Sequence, residues 1–158
     1  MDEGVKTLEK LGFAVDILDI AQENRENCDL AIRSCNCLCI SGGNTFYLLQ
    51  ELKKKNLVEL IKQRVTEGML YIGESAGAII ASRSIEYSHI MDEPNIATEL
   101  KDYSGLNLWS KYLLPHNNEF PFEESTAEII HTYSEKLDLL PIDNRTAVVI
   151  ENEHFSVV

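Results

Sequence analysis

The sequence has no apolar run long enough to cross a membrane, and its first residues, 1–4, lack the basic region and apolar run of a secretory signal. We therefore predict a cytoplasmic protein that has no membrane partner. The chain also has no block of lysine and arginine, and its formal net charge is −12. Because nucleic-acid binding depends on neutralising phosphates, we predict no nucleic-acid partner.

Cysteine is scarce, and three of the four cysteines, Cys35, Cys37 and Cys39, stand at alternate positions. In a strand, side chains at alternate positions point to one face. We expect all three to be buried there as small apolar residues. A zinc site would need a fourth ligand and a different spacing, so the sequence predicts no metal.

The remaining composition is that of one globular domain over residues 1–158, with 44% apolar and 25% charged residues and no repeats or linkers. Apolar spacing predicts helices over residues 3–11, 24–33, 46–55, 57–67, 76–82 and 121–136. It predicts strands over residues 13–18, 37–41, 69–72, 112–114 and 139–142, and a final hairpin from 146–150 and 155–158. Strands that alternate with helices indicate an α/β fold, a sandwich around a mostly parallel sheet, with its site at the carboxyl ends of the strands.

The segment Gly73-Glu74-Ser75-Ala76-Gly77 matches the G-x-S-x-G nucleophile elbow. An apolar strand enters it and a helix of small residues leaves it, which is the setting the motif requires. Small neighbours let strand and helix approach each other while the serine hydroxyl stays exposed. The helix N-terminus also brings N–H groups, including that of Ala76, beside this hydroxyl. We predict that Ser75 is a nucleophile; the alternative is a serine that only caps the helix.

A nucleophilic serine needs a base, which is usually histidine. His131 in a helix and His154 in a hairpin tip are explained as surface residues, and His89 lies in an irregular stretch. His116 follows a strand directly, at the sheet edge where Ser75 is expected. We therefore predict His116 as the general base.

A second glycine-rich turn, residues 41–45 (Ser-Gly-Gly-Asn-Thr), also joins a strand to a helix. Consecutive glycines let backbone N–H groups approach a ligand, so Gly42 and Gly43 could supply a second oxyanion donor. The alternative is an ordinary turn capped by Asn44 or Thr45. A phosphate-binding loop is disfavoured because no lysine follows in the required position.

These segments together, Gly42-Gly43-Asn44-Thr45-Phe46, Gly73-Glu74-Ser75-Ala76-Gly77-Ala78 and Pro115-His116, resemble in order and separation the peptidase E (aspartyl dipeptidase) family, of which cyanophycinase is a relative. The resemblance implies a three-layer sandwich like that of class I glutamine amidotransferases, with serine in place of cysteine. It implies a serine-type dipeptidase for short peptides with N-terminal aspartate, and no metal or other cofactor.

The same resemblance implies roles for individual residues. Ser75 would be the nucleophile, His116 the base, and N–H groups near Gly43 and at Ala76 the oxyanion hole. The flanking residues Gly42, Asn44, Glu74 and Asp92 would line the oxyanion and substrate-binding region.

The third member of the catalytic triad departs from the family pattern. The family's acid falls near Asn144, which carries no charge. We take the adjacent Asp143 as the third member, although it would point elsewhere in an extended segment, and keep Asn144 and Asp92 as alternatives. A missing acid should slow turnover without abolishing it.

Two further departures from the family pattern concern the number of strands and the recognition of the substrate. Family members usually begin with two more strands, so we expect 15–17 or 37–39 to lie exposed along an edge, in a fragment or in a homo-oligomer that covers the edge. Family members also carry a basic residue soon after the catalytic histidine to read the aspartate side chain. Residues 112–135 contain no lysine or arginine, so we do not expect this chain to require aspartate.

Three functional hypotheses follow. The favoured one is a serine peptidase that hydrolyses small peptides through Ser75 and His116. The second is an inactive or truncated relative, suggested by Asn144 and the absent strands. The third is an amidotransferase-like or cyanophycinase-like hydrolase of amide or isopeptide bonds.

Overall fold

The computed structural model describes residues 3–152 and 154–158 and shows a mixed α/β fold. Its helices are α1 (Glu3–Lys10), α2 (Arg25–Ser34), α3 (Thr45–Lys54), α4 (Val58–Thr66), α5 (Ala76–Ile80) and α6 (Glu123–Tyr133). Its strands are β1 (Cys37–Ile40), β2 (Leu70–Gly73), β3 (Tyr112–Leu114), β4 (Leu139–Pro141), β5 (Val148–Glu151) and β6 (His154–Val157). Two short 3-10 helices span Glu86–Ile90 and Pro94–Ile96.

The strands form three separate pairs. β1 pairs with β2 and β3 with β4, both in parallel, whereas β5 and β6 form an antiparallel hairpin. The predicted α/β class and mostly parallel pairing are thus confirmed. The three-layer sandwich stays a prediction, because these pairs are not joined into one sheet.

The predicted helices are present within a few residues of their expected bounds, but the strand predicted over residues 13–18 is wrong. This segment has no regular secondary structure, and Ile17 is 73% exposed. Alternating apolar residues form a strand only where a neighbouring strand accepts their backbone hydrogen bonds. Among the described residues, no strand pairs with this segment.

The expected burial of the alternate cysteines is also wrong. Cys35 and Cys37 are half-buried and Cys39 is exposed, whereas Cys28 in α2 is fully buried. Within the described part of the chain, β2 is the one strand that pairs with β1. One edge of β1 is therefore open, and a side chain on this strand can reach solvent.

The core lies between helices α3, α4 and α5. Phe46, Leu49, Ile61, Ile79 and Ile80 from these helices are at most 1% exposed. Helix α5 also packs against β1, β2 and β3, so the core fixes the turn that leads from β2 into α5. In the described residues, no helix is long and apolar enough to cross a membrane, and the cytoplasmic location stays a prediction.

An ion pair fastens α3 to the loop that follows the 3-10 helices. Lys53 Nζ donates to the Asp102 carboxylate and to its backbone carbonyl, each at 2.6 Å. The hydrogen bond from Lys53 and those from Ser104 hold the pKa of the Asp102 carboxyl far below its usual value. The pair is solvent-accessible on the Asp102 side, so its contribution to stability is small.

Candidate active site

Ser75 occupies a sharp turn between β2 and α5. Its backbone has φ 52° and ψ −112°, which is unusual for a residue with a side chain. Glycines on both sides make the turn compact: a Cβ at Gly73 would lie 2.6 Å from Gly77 O, and one at Gly77 would overlap the Ile40 carbonyl. The Tyr71 hydroxyl donates to Gly77 O at 2.6 Å, and this hydrogen bond links β2 to the start of α5. The sequence therefore holds Ser75 in a strained conformation by close packing of small residues.

The Ser75 hydroxyl faces His116. Ser75 Oγ lies 2.8 Å from His116 Nε2. Although Ser75 stands at the N-cap position of α5, its side chain makes no capping hydrogen bond. The hydroxyl is therefore hydrogen-bonded to the imidazole and not to the helix end. This geometry is typical of a serine nucleophile and its base.

His116 lies two residues after the end of β3, behind Pro115, and also has a positive φ, 62°. The other histidines lie elsewhere: His89 Nδ1 contacts the Glu86 carbonyl at 2.7 Å, His131 is exposed on α6, and His154 begins β6. His116 is the one described histidine that is hydrogen-bonded to Ser75.

The second ring nitrogen of His116 contacts an amide. His116 Nδ1 lies 2.6 Å from Asn144 Oδ1. Because Oδ1 can only accept, Nδ1 carries the proton, and Nε2 is left free to accept from Ser75. Two hydrogen bonds therefore link the side chains of Ser75, His116 and Asn144 in series.

Asp143 does not contact His116. Its carboxylate accepts from Thr146 Oγ1 at 2.6 Å and from Arg145 N at 2.9 Å. These bonds, led by that from Thr146, lower the pKa of the Asp143 carboxyl. Asp143 begins a turn over residues 143–146 and its carboxylate accepts hydrogen bonds within that turn, whereas the next residue, Asn144, faces the imidazole.

The two glycine-rich turns near Ser75 each contain a backbone N–H group without an acceptor in the described residues. Among the described residues, none accepts a hydrogen bond from the N–H of Ala76 or of Gly43. Gly42 lies against Ser75, since a Cβ there would come within 3.2 Å of Ser75 Cβ and 3.5 Å of Ser75 Oγ. The arrangement can serve as an oxyanion hole with one donor from each glycine-rich turn.

Asp92 supports the first of these turns. Its carboxylate accepts from Thr45 N at 2.9 Å and from the Thr45 hydroxyl. Asn44 caps α3 through its Oδ1 and donates from Nδ2 to the Glu93 carbonyl at 3.0 Å. Asp92 therefore anchors the turn and makes no hydrogen bond to His116. Glu74, beside the nucleophile, is exposed.

One contact at the site was missed by sequence reasoning. The Phe122 ring stacks on the His116 imidazole, with 4.8 Å between centroids and 21° between planes. Residue spacing gives no signal for this contact, because it depends on how the loop between the two residues folds. Among the described residues, no group of three or more His, Cys, Asp or Glu could hold a metal ion.

Comparisons with known proteins place the chain among peptidases of one family. The model of peptidase family S51 matches residues 1–158. An uncharacterised peptidase of Listeria innocua serovar 6a is 42% identical over 153 residues, which cover 97% of this chain and 73% of that protein. Peptidase E of Shewanella sp. strain W3-18-1 is 36% identical over 112 residues, which cover 70% of this chain and 45% of that protein.

The fold has a close counterpart among solved structures. A crystal structure of a candidate peptidase E from Listeria monocytogenes EGD-e superposes with a TM-score of 0.92 at 41% identity, covering 98% of this chain and 75% of that one. Together with the match over residues 1–158, this similarity decides the family. The chain belongs to peptidase family S51.

Proposed function

We propose that this chain is a serine-type peptidase of short peptides, with Ser75 as the nucleophile and His116 as the general base. The observation that carries the proposal is the 2.8 Å contact between Ser75 Oγ and His116 Nε2 at the sharp turn between β2 and α5. Membership of a peptidase family and relatives named peptidase E support the reaction class.

In the proposed reaction, Ser75 Oγ attacks the carbonyl carbon of the scissile bond and His116 Nε2 takes the hydroxyl proton. The N–H groups of Ala76 and Gly43 donate to the oxygen that becomes negative. His116 then delivers its proton to the leaving amine. A water molecule, activated by the same nitrogen, releases the acyl group and restores Ser75.

Asn144 is the third member of this proposed site. Its amide oxygen holds the tautomer of His116 that leaves Nε2 free to accept. An amide is uncharged, so it stabilises the imidazolium less than a carboxylate would. We therefore propose a slower enzyme than one with a full Ser–His–Asp triad, and an active one.

The proposed substrates are small peptides with no requirement for N-terminal aspartate. The three residues after the base are Asn117, Asn118 and Glu119, none of which is cationic. A carboxylate side chain bound there would find no lysine or arginine within residues 112–135 to pair with, and Glu119 adds a negative charge to that segment. This observation separates the proposal from the substrate preference implied by the name peptidase E.

The test compares the wild type with Ser75→Ala on a panel of dipeptides: Asp-Ala, Ala-Ala and a β-aspartyl dipeptide. We expect hydrolysis by the wild type, loss of at least about a thousandfold in kcat for Ser75→Ala, and covalent labelling of Ser75 by a phosphonate. Equal rates for the two proteins would remove Ser75 from the mechanism. Cleavage of the β-aspartyl peptide alone would favour an isopeptide hydrolase.

Two structural expectations are also proposals. Because α5 packs against β1, β2 and β3, we propose that these strands and β4 belong to one three-layer sandwich, which a crystal structure with a divided sheet would contradict. Because β1 has an open edge and Ile17 is exposed, we propose that the chain self-associates. A monomer at all concentrations in sedimentation equilibrium would contradict self-association.

A further inference from the structure

The His116 imidazole is restrained within its own plane by two hydrogen bonds. Nε2 contacts Ser75 Oγ at 2.8 Å and Nδ1 contacts Asn144 Oδ1 at 2.6 Å. Together with the covalent bond to Cβ, these hydrogen bonds set the plane of the ring, but they oppose a small tilt out of that plane only weakly because hydrogen-bond angles are broadly distributed. A contact on the face of the ring would restrain that tilt directly.

The Phe122 ring lies against that face. The two rings are 4.8 Å apart between centroids and 21° from parallel. Stacked aromatic pairs in this distance range attract each other beyond the burial of their surface. The contact opposes a tilt of the imidazole toward the Phe122 ring, a motion that the two hydrogen bonds resist only weakly.

Hydrogen bonds on both sides hold the backbone of Phe122, which carries the stacked ring. A turn leads back from the base: Glu119 N donates to His116 O at 3.1 Å, and Phe122 N donates to Glu119 O at 2.7 Å. The Phe122 carbonyl then accepts from Thr126 N and Thr126 Oγ1, both at 2.9 Å. Thr126 is fully buried, so the anchor of Phe122 belongs to the core.

The same contact favours the charged form of the base. During the proposed reaction His116 takes the Ser75 proton and becomes an imidazolium. The face of an aromatic ring attracts a cation, so Phe122 interacts more strongly with His116 in the transition state than in the resting protein. An interaction of this kind raises kcat and leaves KM unchanged.

We propose that Phe122 is a positioning residue for the general base, which it orients and, once protonated, stabilises through the stacked ring. The inference rests on the proposed function, because it assigns His116 the role of base. Phe122 acts through His116 and is not assigned a contact with the substrate.

The experiment uses two variants without a ring, Phe122→Leu and Phe122→Met, and the conservative Phe122→Tyr. The matched control is Phe13→Leu, the same chemical change in a segment without regular structure. The first readout is the NMR signal of the His116 ring protons in the resting protein, identified by its loss in His116→Gln. This readout requires no turnover. The second readout is kcat and KM for a cleaved dipeptide.

We expect the stacked ring to shift the His116 signal upfield in the wild type and in Phe122→Tyr, and the shift to disappear in both variants without a ring. We expect kcat to fall by about threefold to tenfold in those variants with KM unchanged, and to recover in Phe122→Tyr. Phe13→Leu should match the wild type in both readouts.

An unchanged His116 signal or an unchanged kcat in Phe122→Leu and Phe122→Met would overturn the proposal. Loss of the folded state in both variants would also overturn it, in favour of a purely structural role. Failure of the proposed function is a separate result: Ser75→Ala would then hydrolyse the peptide as fast as the wild type, while the NMR signal would still report whether the rings stack.

Discussion

Replacing Gly73 with alanine should separate strand β2 from helix α5 and weaken both stability and activity. The added methyl group would lie 2.6 Å from Gly77 O, 2.7 Å from Gly77 C and 2.8 Å from Ala78 N. Ordinary contact begins at 3.4 Å, so the backbone of α5 would have to withdraw by roughly 0.8 Å. Gly73 is not in the left-handed region, so the backbone conformation itself accommodates alanine.

The magnitude follows from the rigidity of the obstacle. Three backbone atoms cannot change rotamer, so the crowding should lower the free energy of unfolding by about 1–3 kcal/mol. The same displacement moves the Ala76 N–H and Ser75 relative to His116. A misplacement of about 1 Å costs on the order of a hundredfold in rate, so we expect kcat to fall by about tenfold to a hundredfold.

Urea unfolding followed by circular dichroism and steady-state dipeptide hydrolysis would measure the two effects. Gly4→Ala is the matched control, because a Cβ at Gly4 meets nothing within 4 Å. Gly4 is the second residue of α1, so that change should alter the free energy of unfolding by less than about 1 kcal/mol and leave kcat unchanged. Wild-type stability and rate in Gly73→Ala would refute the argument that the turn depends on this close approach.

Two other substitutions give independent tests. Asn144→Asp should raise kcat by about tenfold, because a carboxylate stabilises the His116 imidazolium more than an amide does; an equal or lower kcat would contradict that reasoning. Asp102→Asn should lower the free energy of unfolding at pH 7 by about 0.5 kcal/mol, since the Asp102 side chain is largely exposed to solvent. The pKa of Asp102 is lowered in the folded state, so the stabilisation is fully present above its unfolded pKa of about 3.9 and declines progressively as pH falls from that value through the lower folded pKa. Urea unfolding from pH 7 to pH 3 should therefore show the two proteins converging, and a constant difference would exclude the ion pair with Lys53 as the cause.

The order of helices and strands could be read from the sequence because it depends on local periodicity. The apolar run 69–72 and the small residues of α5 are each local signals, and the structure contains both elements. The prediction over residues 13–18 failed because periodicity reports which face a segment would bury, and a strand also needs a partner. The prediction that Cys39 is buried failed for the same reason, because its burial would require a neighbour along the open edge of β1.

The same distinction holds for the candidate site: some of its features depend on sequence order, and others depend on the folded arrangement. The G-x-S-x-G motif around Ser75 and the position of His116 after a strand are features of sequence order, so they could be proposed before any coordinates. The choice between Asp143 and Asn144 depends on which of two adjacent side chains faces the ring, and no pattern fixes that. The stacked Phe122 lies at the end of a folded loop, and its contact with His116 required the three-dimensional arrangement.

The bonds between the 92–93 segment and residues 44–45 give the site an internal linkage. The Asp92 carboxylate accepts from the N–H of Thr45, the first residue of α3, and Asn44 donates to the Glu93 carbonyl. These hydrogen bonds connect the two short segments. A ligand that displaced residues 92–93 would transmit that movement to the Gly43 amide, some fifty positions earlier in the chain. In the proposed mechanism, the affinity of a substrate for the 92–93 segment and the stabilisation of the oxyanion by the Gly43 N–H would then vary together across a series of substrates.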